Sequence, residues 1–91
     1  MHLRWTASAL SDLARLHDFL APLNPQAAER TVQYLTQAPE RLLAHPRLGE
    51  RLEGFGTTEV RRLIVGSYEL RYAITDDVIA ILRLWHTRKA R

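Results

Sequence analysis

Apolar residues recur at three- and four-residue steps through the first half of the chain. Ala9, Leu10, Leu13, Leu16, Phe19, Leu20 and Leu23 form one such stripe, the pattern of an amphipathic helix over about 7–22. Thr6 precedes it as a natural N-cap, and residues 2–5 suit a short strand. Asn24-Pro25 stops this helix and starts another, because asparagine caps and proline fits the first helical position. The second helix extends over about 25–44, with Ala28, Val32, Leu35, Leu42 and Leu43 on its buried side. Pro39 lies inside it and removes a backbone donor, which predicts a kink or interruption. His45-Pro46 ends it. Two helices with so short a connection form an antiparallel hairpin.

The period changes in the second half. Residues 46–58 contain Gly49, Gly54 and Gly56 and no regular repeat, so they read as a loop. Val60 to Val65 is a strand-like run, and Gly66-Ser67 is a hairpin turn signal. Tyr68, Leu70, Tyr72 and Ile74 alternate with Glu69, Arg71, Ala73 and Thr75, the mark of a half-buried strand. Asp76-Asp77 makes the next turn. Val78 to Leu84 is apolar except for Arg83, which suits a central strand covered on both faces. The predicted class is α+β in the order β-α-α-β-β-β, a helical hairpin packed on one face of an antiparallel sheet. Ninety-one residues make one domain, 1–91.

Composition sharpens this picture in two places. The chain has no cysteine, which excludes disulfides and thiolate metal sites and suits a reducing cytoplasm. Its first long segment carries Asp12, Arg15 and Asp18, so neither a secretion signal nor a membrane span is expected there. The net charge of +3 sits wholly in the C-terminal half, where the cations are arginines apart from Lys89. Guanidinium groups suit bidentate contacts to carboxylate or phosphate, so the basic half predicts an acidic partner, either nucleic acid or peptide.

Nucleotide-binding, zinc-protease and calcium-loop patterns are absent from the sequence. His2, His17, His45 and His86 are scattered, so no metal site and no cofactor is expected. The chemically suggestive cluster is Arg61, Arg62, Arg71, Arg83 and Arg88 on or beside three successive strands. His86 at the end of the last strand is a plausible acid/base group for RNA cleavage, with arginines stabilising phosphate charge. Tyr68, Tyr72 or Glu69 offers a second proton-transfer group. The competing explanation is ordinary ion pairing of the arginines and packing of His86 by Trp85. Trp5, Tyr68, Tyr72 and Trp85 are better explained as core than as base-stacking platforms.

Six short segments, in order, resemble one family. They are Trp5-Thr6-Ala7-Ser8-Ala9-Leu10-Ser11-Asp12-Leu13, Asn24-Pro25-Gln26-Ala27-Ala28, His45-Pro46-Arg47-Leu48-Gly49, Glu59-Val60-Arg61-Arg62-Leu63, Tyr68-Glu69-Leu70-Arg71-Tyr72 and Leu82-Arg83-Leu84-Trp85-His86-Thr87-Arg88. Together they span nearly the whole chain and resemble the RelE/ParE toxins of type II toxin–antitoxin systems. The resemblance implies a cytoplasmic toxin neutralised by a cognate antitoxin, whose acidic C-terminal segment wraps it. Operator DNA would be bound only through the antitoxin. Leu13, Leu16, Leu20, Val32 and Leu35, with Arg61, Arg62, Arg71, Arg83 and Arg88, are the implied partner-binding residues.

Two targets divide the superfamily. In RelE-like nucleases an arginine often stands three residues before the tyrosine that matches Tyr72, and Glu69 occupies that place. A carboxylate there repels a scissile phosphate. The long helical hairpin and the Trp-His-Thr-Arg ending look more like ParE. The favoured expectation is therefore a poison that binds DNA gyrase, with no catalytic residue. The alternative is a ribosome-dependent mRNA endoribonuclease using Arg61, Arg83, His86 and Arg88.

Overall fold

A computed structural model describes residues 1–89. The chain runs β1 (His2–Trp5), α1 (Ala7–Leu20), α2 (Pro25–Gln37), a 3-10 helix (Ala38–Leu43), β2 (Glu50–Leu52), β3 (Glu59–Val65), β4 (Tyr68–Thr75), β5 (Val78–His86) and a short 3-10 turn (Thr87–Lys89). The expected order is present, with one extra strand. The five strands lie in the order β1-β5-β4-β3-β2. Arg91, part of the expected basic tail, lies outside the described residues.

Two expectations about the sheet need correction. It is mixed, not wholly antiparallel, because β1 pairs in parallel with β5, from His2↔Val78 to Trp5↔Ile81. The stretch read as a loop also contains β2, which pairs antiparallel with β3 at the sheet edge. A three-residue strand shows no readable alternation, and its place depends on a partner strand rather than on local pattern.

Helix caps explain where the helices begin. The Thr6 hydroxyl accepts from the Ala9 N–H at 3.1 Å and donates to the Leu82 carbonyl at 3.0 Å. The same cap therefore fastens the start of α1 to β5. Asn24 caps α2 through its side-chain oxygen, which accepts from the Ala27 N–H at 3.1 Å, and Pro25 opens that helix. The α-helix stops at Gln37, and the chain around Pro39 tightens into a 3-10 turn. Side chains three apart superpose in a 3-10 helix. Pro39 and Leu42 are therefore both buried, while Leu43, expected on the buried side, is exposed.

Side-chain alternation sorts the sheet into two faces. Leu63, Val65, Leu70, Tyr72, Ile74, Ile79, Ile81 and Leu84 meet Ala9, Leu13, Leu35 and Leu42 in the core beneath the helices. Leu3, Trp5, Leu16 and Val32 pack around it. The other face carries Arg62, Ile64, Glu69, Arg71 and Trp85, and none of the described helices packs over it. The β4–β5 register shifts between Arg71 and Tyr72, which pair with Arg83 and Ile81 respectively. Leu82 is the extra residue of this bulge, and such a bulge re-aims the side chains beside it.

Candidate functional site

Strand β1 ends at Trp5, whereas β5 continues to His86. Among the described residues, the outer edge of β5 beyond Ile81 therefore has no strand beside it. Backbone groups there still need partners, and α1 supplies them. Asp12 reaches across to accept the Leu84 N–H at 2.9 Å, and also accepts Arg83 Nε at 2.8 Å and Nη2 at 3.0 Å. Arg15, one turn along α1, donates to the same carboxylate. Asp12 is only 7% exposed. Burial pushes its carboxyl upward, but the Arg83 hydrogen bond, the Leu84 N–H and the charges of Arg83 and Arg15 outweigh that and hold it below its ordinary value. The same contact raises Arg83.

An open groove of about 580 Å³ follows this seam between α1 and the far ends of β4 and β5. Leu16, Phe19 and Leu20 form its helical wall, and Tyr68 and Leu84 its sheet wall, with Trp85 reaching it only from the strand edge. Arg15, Arg83 and His86 stand on its rim. Phe19 is 65% exposed. The rings of Tyr68 and His86 meet edge to face with centroids 5.3 Å apart. His86 Nδ1 accepts the backbone N–H of Arg88 at 3.1 Å, so in the neutral ring the proton is on Nε2.

Of the residues named for nuclease chemistry, Arg83, His86 and Arg88 therefore gather at one end of β5. Arg61 does not join them. It lies on β3 opposite Tyr72 of β4, whereas His86 of β5 lies opposite Tyr68 of β4. Ordinary strand dimensions separate the two by roughly 13 Å along the sheet and about 10 Å across it. Arg61 is instead built into a clamp on the segment 46–49. It donates to Glu59 at 2.7 Å and to the Gly49 carbonyl at 2.7 Å. Arg47 grips the same Glu59 with two bonds of 2.9 Å. The hydrogen bonds from Arg61 and Arg47 hold the Glu59 carboxyl below its ordinary value. The buried Tyr72 hydroxyl donates to the Pro46 carbonyl at 2.7 Å and accepts the Gly49 N–H at 3.0 Å.

On the open face, Glu69 is 2% exposed. Arg71 Nη2 stands 3.2 Å from one of its oxygens and Arg62 Nη1 3.7 Å from the other. Arg62 also pairs with Glu50 at 2.8 Å. The Arg71 guanidinium carbon lies 4.7 Å from the Trp85 ring centroid and 5.9 Å from that of Phe55.

Among the residues expected to bind a partner, Leu13 and Leu35 are core side chains already covered within the chain. Leu16, Leu20 and Val32 are half-buried, and the first two line the groove. Asp12 and Phe55 had no place among the expected site residues. A signal for Asp12 exists, since it falls on the same helical face as Ala9, Leu13 and Leu16. An acid within an apolar stripe needs a partner. Among the described residues, no group of three or more His, Asp or Glu is arranged to hold a metal ion. No described helix is long and apolar enough to cross a membrane.

Residues 3–91 match the family model described as ParE toxin of type II toxin-antitoxin system, parDE. Toxin RelE2 of Caulobacter vibrioides is 31% identical over 86 residues, covering 93% of each chain. Toxin RelE3 of the same organism is 30% identical over 87 residues, covering 91% of this chain and 90% of the relative. Among solved structures, the chromosomal ParDE system from P. aeruginosa superposes with a TM-score of 0.81 at 27% identity, covering 94% and 95% of the two chains. The archaeal RelE-RelB complex from Pyrococcus horikoshii OT3 gives a TM-score of 0.69 at 22% identity, covering 98% and 97%, a likeness of fold. The helical layer, the sheet and the full-length match agree, and the chain belongs to the ParE toxin family of type II toxin–antitoxin systems.

Proposed function

We propose that this toxin arrests growth by binding and poisoning DNA gyrase, without cleaving RNA, and that a cognate antitoxin neutralises it in the cytoplasm. The observation that carries the reading is the commitment of its arginines. Cleavage of a phosphodiester needs a cation and proton-transfer groups within hydrogen-bond reach of one phosphate. Arg61 is held on Glu59 and the Gly49 carbonyl, and Arg83 on Asp12. Glu69 lies between Arg62 and Arg71. These pairs leave an apolar, arginine-rimmed surface suited to protein contact. The α1–β5 groove, with Arg15, Arg83 and His86 on its rim, suits an acidic amphipathic segment of the antitoxin. The antitoxin's own DNA-binding part would carry the pair to its operator.

A supercoiling assay tests this directly. Purified toxin is expected to block gyrase or trap cleaved DNA, and added antitoxin to restore activity. Undisturbed supercoiling at large molar excess of toxin contradicts the proposal.

One arrangement supports the other branch. Tyr68, Arg83 and His86 line one groove, and the relatives named above include RelE toxins. In that reading, His86 moves a proton during ribosome-dependent mRNA cleavage. Primer extension on ribosome-bound messages would then show new ends that His86→Ala abolishes.

A further inference from the structure

The open face of the sheet holds two polar atoms that the ion pairs do not satisfy. Among the described residues, Arg71 Nε and Trp85 Nε1 are buried and have no hydrogen-bond acceptor. Both are donors, and both belong to the contact in which the Arg71 guanidinium lies 4.7 Å from the Trp85 ring. Buried donors in a native structure are nearly always paired, and an exception points to a missing acceptor. Arginine and tryptophan are also among the side chains enriched at the hot spots where proteins meet, and a guanidinium over an indole face is itself attractive.

Phe55 lies against the same guanidinium, at 5.9 Å. Its flanking residues are Gly54 at φ 93° and Gly56 at φ 63°. No atom lies within 4 Å of where a side chain on either glycine would begin. The tip carrying Phe55 is thus unpacked at both hinges, and glycine lets each hinge rotate at little steric cost. Ile64, 51% exposed, stands beside Glu69 on the same face.

We infer that this face is a carboxylate-binding site. Arg71 Nε and Trp85 Nε1 receive the side-chain carboxylate of an Asp or Glu on a protein partner once Phe55 swings aside. Phe55 and Ile64 then cover an apolar neighbour of that residue. The charge balance of this face selects the ligand. Glu69 already neutralises one arginine from below, and Glu50 occupies the other side of Arg62. A polyanion such as RNA needs a run of unpaired cations to follow its backbone, and here Arg62 and Arg71 are each paired. A single carboxylate matches the remaining donors. The inference deepens the protein-contact reading of this toxin and rests on it.

The site contains its own reporter. The chain has two tryptophans, so in a Trp5→Phe background the emission comes from Trp85 alone. Titration with a synthetic peptide of alternating Glu and Leu should shift that emission saturably. The same peptide with Gln for Glu should bind about tenfold more weakly, the loss expected for charge-assisted hydrogen bonds. Phe55→Ala should tighten the Glu peptide, because the flap no longer needs displacing. Arg71→Gln should weaken it to the level of the Gln peptide, with circular dichroism confirming the fold.

Equal response to the Glu and Gln peptides would overturn the inference, because apolar contact alone then explains binding. So would tighter binding of short oligouridylate than of the Glu peptide. If Arg71→Gln fails to fold, unchanged affinity in Phe55→Ala still refutes the flap, and no saturable response refutes the site. Neither gyrase nor ribosome enters this titration, so a negative result in the supercoiling assay and a negative result here are separate findings.

Discussion

Asp12 ties the helical layer to the sheet by hydrogen bonds, beside the Thr6 cap. A carboxylate that accepts from Leu84, Arg83 and Arg15 replaces a strand that β1 is too short to provide. Asp12→Ala leaves the Leu84 N–H without its acceptor in a poorly hydrated place. A loss of about 2 kcal/mol is expected from the ordinary cost of an orphaned buried donor, read as a lower urea midpoint with an unchanged slope. The same carboxyl gives stability a pH dependence. Asp12 and Glu59 both sit below their ordinary values of 3.8 and 4.5 in the folded chain. The unfolded chain therefore binds more protons as pH falls through those values. Their contribution is complete above about pH 5 and declines steadily below it, toward the lowered folded values. Urea midpoints measured across that range should fall with acid, and Asp12→Asn should flatten part of the slope.

At the scale of elements, the connection from the helices to β2 is held more tightly than a surface loop usually is. Tyr72 uses its hydroxyl twice, on Pro46 and Gly49, and Arg61 takes the Gly49 carbonyl. Tyr72→Phe keeps the ring in the core but orphans two backbone groups, for an expected cost of about 1–3 kcal/mol. Gly49→Ala should do more damage, since a Cβ there would meet the Arg62 carbonyl oxygen at 2.4 Å. Backbone amide exchange over 46–52 should quicken in both variants before the rest of the chain loosens. Both helices, β3, β4 and β5 were legible because periodicity, caps and turn residues lie within a few positions of one another. β2 and the parallel pairing of β1 were not, since each is decided by a partner strand distant in sequence. The site divides in the same way. The groove's leucines and His86 were visible as types in a pattern, whereas the Arg61 clamp and the Asp12 contacts depend on long-range register. Burial of Leu13 and Leu35 likewise follows from how the layers meet, not from the stripe that contains them.

For the molecule as a whole, a chain this short buries limited apolar surface, and bound partners weigh heavily in its stability. A ligand present at about a hundred times its dissociation constant adds about 2.7 kcal/mol. For a domain of this size, that corresponds to a rise of roughly 10 to 20 °C in the thermal midpoint. Calorimetry of the toxin with increasing antitoxin should show that rise, and a midpoint indifferent to antitoxin concentration would contradict binding to the native fold.

The parallel pairing of β1 with β5 also has a consequence in time. His2–Trp5 is made well before its neighbour Val78–His86. Until then the helices, β3 and β4 are present without the strand that lies between β1 and β4. The acceptor carboxylate of Asp12 likewise waits for Leu84. A nascent chain halted at Asp77 should show helical signal but no cooperative unfolding. The fold thus closes only once β5 has been made, and an antitoxin that meets the chain earlier would meet it with the sheet still divided.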